Sequence, residues 1–189
     1  MTLASYISCL RIVLIVPIIY FLHLGKGHAF LGSGPNFYFY FAFSIFVMAG
    51  LTDYLDGYIA RRTNSETHLG ALLDLIADKL LGSLVIVWLV LIENTGVVAI
   101  PALIIVAREL VISTLRQYII EKREKKDLSV SFIGKSKTTI QIIAISLLIL
   151  AQEITSIHTL ALFAIWFAAF FSLYSLFKYV SEWFKHFSN

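Results

Sequence analysis

The chain has 189 residues, of which 59% are hydrophobic and 14% charged, with a mean hydropathy of +0.84 and a formal net charge of +3. A water-soluble domain of this composition would lack the polar residues to cover its surface, so the sequence reads as an integral membrane protein. No basic stretch resembles a nucleic-acid-binding stripe, and Cys9, the single cysteine, excludes an internal disulfide.

Six apolar segments follow along the chain, at residues 7–24, 36–61, 70–92, 97–120, 132–153 and 157–183, each close to the ~20 residues a spanning helix needs. The runs are continuous rather than alternating, which predicts helices and not barrel strands. The first could pass for a secretory signal, but Arg11 interrupts it and no small-residue cleavage site follows. Arg61 and Arg62 lie after the second segment, and Lys122, Arg123, Lys125, Lys126, Lys135 and Lys137 around the connection after the fourth. Lys178 and Lys185 close the chain, whereas the opposite connections hold only Lys26. By the positive-inside rule both termini and the basic connections are cytoplasmic, and the aromatic run from Phe37 to Phe41 falls at the far interface. The expected fold is therefore all-α, an integral membrane protein with six transmembrane helices in a single domain over residues 1–189. The polar stretch 121–131 reads as a cytoplasmic connection, and the five histidines show no ligand spacing.

Between the second and third segments lie four aspartates, Asp53, Asp56, Asp74 and Asp78, inside or at the edge of apolar runs. A carboxylate there costs several kcal/mol, by order of magnitude about 3, unless something compensates it. At ~100° per residue, with Asp53 at zero, Asp56 falls at about −60°, Gly57 at about +40°, Ala60 at about −20° and Arg61 at about +80°, so they share a face. Gly70, Asp74 and Asp78 step by four along the next helix. Counted from the intervening turn, Asp56 and Asp74 match in depth at about 6–8 Å, and Asp53 and Asp78 at about 12 Å.

Four carboxylates at two matched depths could hold two hard divalent cations; such oxygen sites suit magnesium, manganese or calcium rather than zinc. A pair of such ions clamping phosphoryl oxygens is a common solution for phosphoryl transfer. Gly57 and Ala60 leave room beside the acids, and Arg61 can fork onto a phosphate. The plainer alternative is that the acids pair with Arg61, Lys79 or Arg108 and that the small residues let two helices pack closely. Facing carboxylates repel without intervening cations, which favours the metal reading.

The pattern Asp53-x2-Asp56-Gly57-x2-Ala60-Arg61-x8-Gly70-x3-Asp74-x3-Asp78 resembles the full signature of the CDP-alcohol phosphotransferases, matched at every defined position. Length, six helices and cytoplasmic ends fit the same family over nearly the whole chain. The resemblance implies an enzyme that moves a phosphatidyl or related group from a CDP-linked donor to an alcohol and releases CMP. It further implies two divalent cations, Mg2+ or Mn2+, held by Asp53, Asp56, Asp74 and Asp78, with Asp78 also the general base, and a CDP-binding set of Gly57, Ala60, Arg61 and Gly70. Lys79 after Asp78, Arg108-Glu109, Arg116 and the run Gly134-Lys135-x-Lys137-Thr138-x2-Gln141 most resemble members that use CDP-diacylglycerol and glycerol 3-phosphate. Leu75, Ser5, Ser8 and Leu176 depart from common family residues, and none is a proposed ligand or base.

Independently of the resemblance, Arg108 and Arg116 lie about 80° apart on the fourth helix, and Lys135 and Lys137 begin the fifth, so they could line a pocket for the acceptor's phosphate dianion. Lys135 and Lys137 read equally well as positive-inside anchors. A homodimer in a bacterial inner membrane, with membrane lipid as donor and the site facing the cytoplasm, is what the family suggests. Serine, inositol phosphate or a lipid as acceptor stay open. A prenyltransferase fits poorly because such chains have more helices, and a cation transporter because no inverted repeat of broken helices is present.

Overall fold

In the computed structural model the described residues are 3–31, 36–63, 68–121 and 132–187, with side chains described over 6–29, 36–52, 73, 75–115 and 137–181. Among them are six α-helices and no strand: α1 (Leu3–Leu31), α2 (Phe37–Thr63), α3 (His68–Glu93), α4 (Gly96–Glu121), α5 (Phe132–Ala151) and α6 (His158–Phe187), the last preceded by a 3-10 turn at Thr155–Ile157. Four stretches are long and apolar enough to cross a membrane: Tyr6–Ala29, Leu75–Glu93, Gly96–Leu115 and Thr155–Ser181. Shorter apolar stretches lie at Phe37–Thr52 in α2 and Lys137–Ala151 in α5. The chain is an all-helical membrane protein.

The largest departure from the expected boundaries is α1, which continues to Leu31 through Gly25 and Gly27 instead of stopping near residue 24. Glycine is a poor helix former, so tertiary contacts hold this turn. A Cβ on Gly25 would stand 2.8 Å from the Phe39 ring of α2, so the missing side chain permits the close approach. Asn36 Nδ2 donates to the Gly25 carbonyl at 2.6 Å, and Lys26 Nζ to the Leu91 carbonyl at 2.7 Å. Stacking of Phe21 on Tyr38 and Phe41, with centroids 6.4 and 5.6 Å apart, completes the α1–α2 seam. The aromatic run is thus two-faced, with Phe39 buried and Phe37 and Phe41 exposed.

Contacts at this end fix the directions of the helices. The Asn36 amide donates to Glu153 Oε1 at 3.0 Å, Gln152 Nε2 donates to Glu93 Oε1 at 2.5 Å, and His158 Nε2 lies 3.3 Å from the same oxygen. The ends of α1, α3 and α5 therefore meet the starts of α2 and α6, as alternating up and down helices require. The α3–α4 connection is only Asn94 and Thr95. Asn94 takes φ 48°, a left-handed conformation that asparagine tolerates better than most side chains.

Helix α1 packs against both α2 and α3, α5 against α2, α3 and α6, and α4 against α3 and α6. Among the described residues α1 and α5 each pack against both arms of the acidic hairpin, α2 and α3. The buried stripes explain this packing: Ile15, Ile18 and Leu22 on α1, Phe39, Ala42, Phe46 and Ala49 on α2, and Leu81, Val85 and Leu89 on α3 recur every three or four residues. On α5, Ala144, Ile145, Leu148 and Ile149 do the same. Exposed Leu103, Phe163, Phe170 and Phe177 lie on the outer faces of α4 and α6, where a lipid environment removes the penalty for apolar exposure.

Candidate active site

Followed away from the tight end, the buried stripes turn polar. On α1 the stripe passes from Ile15 to Arg11 and Ser8, on α5 from Ala144 to Gln141 and Lys137, on α4 from Ile105 to Arg108, and on α6 from Ala169 to Ser172, all of them buried. Buried polar groups are costly without partners, so the cluster of them at this end of the core marks a candidate site, with Asn36 and Ser146 buried elsewhere. Positions 53, 56 and 60 continue the register of the α2 stripe, and 74 that of α3.

Helices α1 to α5 line a small cavity of about 30 Å³ that is partly open to its surroundings. Its polar lining is Arg11 from α1, Asp78 from α3, Glu109 from α4, and Thr138 and Gln141 from α5. Phe46, Leu81, Ile142 and Ile145 supply apolar walls, with Gly50 and Gly82 between them. By helical rise, Asp78 lies about 15 Å and Gln141 about 14 Å in from the ends of their helices nearer the basic connections.

Glu109 is the hub of this lining. Its Oε1 lies 3.6 Å from Lys137 Nζ, its Oε2 accepts from Ser83 Oγ at 3.4 Å, and it is hydrogen-bonded to Gln141. Both members of the ion pair are about nine-tenths buried, so the pair is shielded from solvent screening. One turn on, Ser113 Oγ donates to the Glu109 carbonyl at 2.6 Å and itself accepts from Lys79 Nζ, tying α3 to α4 beside Asp78.

Of the residues singled out in the sequence, Asp78 lines the cavity and Lys137 reaches it through Glu109. Arg108 is not in the cavity lining; it is buried, with its Nε donating to Ser172 Oγ on α6 at 2.7 Å. Its Nη2 has no partner among the described residues. Asp53, Asp56, Gly57, Ala60 and Arg61 are on α2, Gly70 and Asp74 on α3, Arg116 on α4 and Lys135 on α5, and the side chains at these positions lie outside the described residues. Among the described residues no three His, Cys, Asp or Glu side chains come together. Sequence reading did not select Arg11, Glu109 or Gln141 as site residues. The signal that finds them is the register of each buried stripe, which carries their positions onto the core face.

A helical membrane bundle whose described core turns polar around Asp78, Glu109, Arg11 and Gln141 has the character of an intramembrane site for charged ligands. The chain belongs to the CDP-alcohol phosphatidyltransferase family, whose sequence model matches residues 1–174. Similar proteins include the CDP-diacylglycerol–glycerol-3-phosphate 3-phosphatidyltransferase of Haemophilus influenzae, 37% identical over 136 residues, covering 72% of this chain and 73% of that protein. Those of Salmonella typhimurium and Escherichia coli K12, bearing the same name, are each 38% identical over 138 residues, covering 72% of this chain and 75% of theirs.

Proposed function

We propose that this chain transfers the phosphatidyl group of CDP-diacylglycerol to the 1-hydroxyl of sn-glycerol 3-phosphate, giving phosphatidylglycerophosphate and CMP in phospholipid biosynthesis. The observation that carries the reading is the unbroken motif from Asp53 to Asp78 in a chain 37–38% identical to proteins named for this reaction. The whole chain acts as one catalytic unit of six spans with both termini cytoplasmic. The one-sided distribution of Lys and Arg supports that orientation, and the bacterial relatives support an inner-membrane location. A homodimer, implied by the family resemblance, belongs to the same reading.

Asp53, Asp56, Asp74 and Asp78 would hold two divalent cations, Mg2+ or Mn2+. The support is donor chemistry: the defined acidic positions offer carboxylate oxygens, as hard cations prefer, and none of the defined positions is a cysteine or histidine. Bound there, the cations would neutralise the donor's diphosphate and the charge that develops on the departing CMP. Gly57, Ala60 and Gly70 leave room for the CDP portion, and Arg61 forks onto its phosphates. Asp78 takes the proton of the acceptor's hydroxyl as that oxygen attacks the phosphorus bearing the diacylglycerol. The bond from this phosphorus to the CMP oxygen breaks, and CMP leaves with the electron pair. Arg108, Arg116, Lys135 and Lys137 bind the acceptor's phosphate, the Nε of Arg108 being held by Ser172.

The test is CMP release by the purified protein in detergent with CDP-diacylglycerol and Mg2+, run in parallel with glycerol 3-phosphate, serine and inositol 1-phosphate. Release is expected with glycerol 3-phosphate alone, abolished by chelation and restored by Mg2+ or Mn2+. Release with another alcohol would discard the acceptor and keep the chemistry; release with none would discard both.

A further inference from the structure

One atom in the cavity wall has an incomplete set of hydrogen bonds that points to a ligand. Gln141 is 7% exposed and lines the cavity with Asp78. Its side chain is hydrogen-bonded to Glu109, and since Oε1 finds no partner among the described residues, Nε2 is the atom that makes this bond, as the donor. That bond sets the orientation of the amide, because Glu109 is itself held by Lys137 at one oxygen and Ser83 at the other. The remaining atom, Gln141 Oε1, is buried and finds no partner among the described residues. Buried amide oxygens are rarely left so, and in a cavity the missing partner is a donor that the cavity admits, water in the empty site or a donor on the ligand that displaces it. Gly82 leaves room for the amide: a Cβ there would lie 3.2 Å from Gln141 Nε2, close enough that the amide would have to give by a few tenths of an ångström.

Resting on the reaction proposed above, the entering molecule carries two hydroxyls. The primary one attacks and gives its proton to Asp78. The secondary one does not react, and it is a donor without an assigned acceptor. We propose that Gln141 Oε1 accepts a hydrogen bond from this secondary hydroxyl, making Gln141 the residue that selects a phosphorylated vicinal diol over an acceptor lacking the second hydroxyl. A site built to pair a substrate hydroxyl rejects the deoxy analogue strongly, because the protein's own polar group is then left unpaired.

The experiment compares kcat/KM for CMP release with glycerol 3-phosphate and with 1,3-propanediol monophosphate, which keeps the phosphate and the attacking hydroxyl and lacks only the secondary one. The unaltered protein should prefer glycerol 3-phosphate by at least ~100-fold. Gln141→Met, of similar length but without the acceptor, should bring the preference below ~10-fold, almost wholly by loss with glycerol 3-phosphate. Gly82→Ala keeps the amide but displaces it, so an intermediate preference is expected, and this variant serves if Gln141→Met does not fold. A preference unchanged in Gln141→Met, or an equal fall with both acceptors, would overturn the inference by making the amide merely structural. Equal use of both acceptors by the unaltered protein would overturn it while leaving the reaction intact. Release with neither, but with serine or inositol 1-phosphate, would show in the unaltered protein that the proposed acceptor, and this inference with it, is wrong.

Discussion

Asp78 and Lys137 show how differently two charged residues in apolar helices can be read. The cost of a carboxylate in lipid singles out Asp78 before any neighbour is known, and its spacing from Asp74 completes the motif. Replacing it by asparagine keeps size and removes the base, so Asp78→Asn should lower CMP release by at least ~100-fold with donor binding largely kept. A titration of CDP-diacylglycerol against the variant checks both halves, and appreciable residual turnover would sink the base assignment. Lys137 reads from sequence equally well as a membrane-interface anchor or an anion ligand. In the structure it is buried and lies 3.6 Å from Glu109. Lys137→Gln should raise the KM for glycerol 3-phosphate about 10- to 100-fold, the loss of one charge-assisted bond, with a smaller change in kcat. Initial-rate kinetics over a range of acceptor concentration separate the two effects. Glu109 itself was legible only as a charge beside Arg108. Helix register tells which way a residue faces, but not that Ser83, Lys137 and Gln141, from two other helices, converge on it.

At the scale of elements, hydropathy located all six helices to within a few residues except at the end of α1. There local propensity and packing disagree, and packing prevails. Gly25 and Gly27 weaken the turn, whereas the Asn36 bond to the Gly25 carbonyl and the Phe39 ring against Gly25 hold it. Phe39 is 1% exposed and has nowhere to retreat. Gly25→Ala should therefore destabilise the protein by about 1–3 kcal/mol through overpacking, despite alanine's better helix propensity. Thermal unfolding in detergent measures the sign: a rise in Tm would show that the seam has slack. Asn94 illustrates the opposite case, where a residue that tolerates φ 48° stands in a two-residue connection between α3 and α4.

For the whole molecule, orientation in the membrane is the property most open to a direct check. With Cys9→Ser as background, Ser33→Cys lies in the connection expected outside the cell, and Lys125→Cys in the one expected in the cytoplasm. A membrane-impermeant maleimide should label the first in intact cells and the second only after permeabilisation, and the reverse pattern would invert the topology. The sequence by itself determined the membrane class, the helices and the aspartate motif, because hydropathy, helical period and the cost of charge in lipid are properties of single segments. Only the tertiary structure decided that α1 and α5 pack against both arms of the acidic hairpin, that Arg108 turns to Ser172 on α6, and that Glu109 and Gln141 enter the cavity. These depend on which apolar stripe meets which, and helix pairing is settled by complementary packing across the bundle, a relation between distant segments that no single helix encodes.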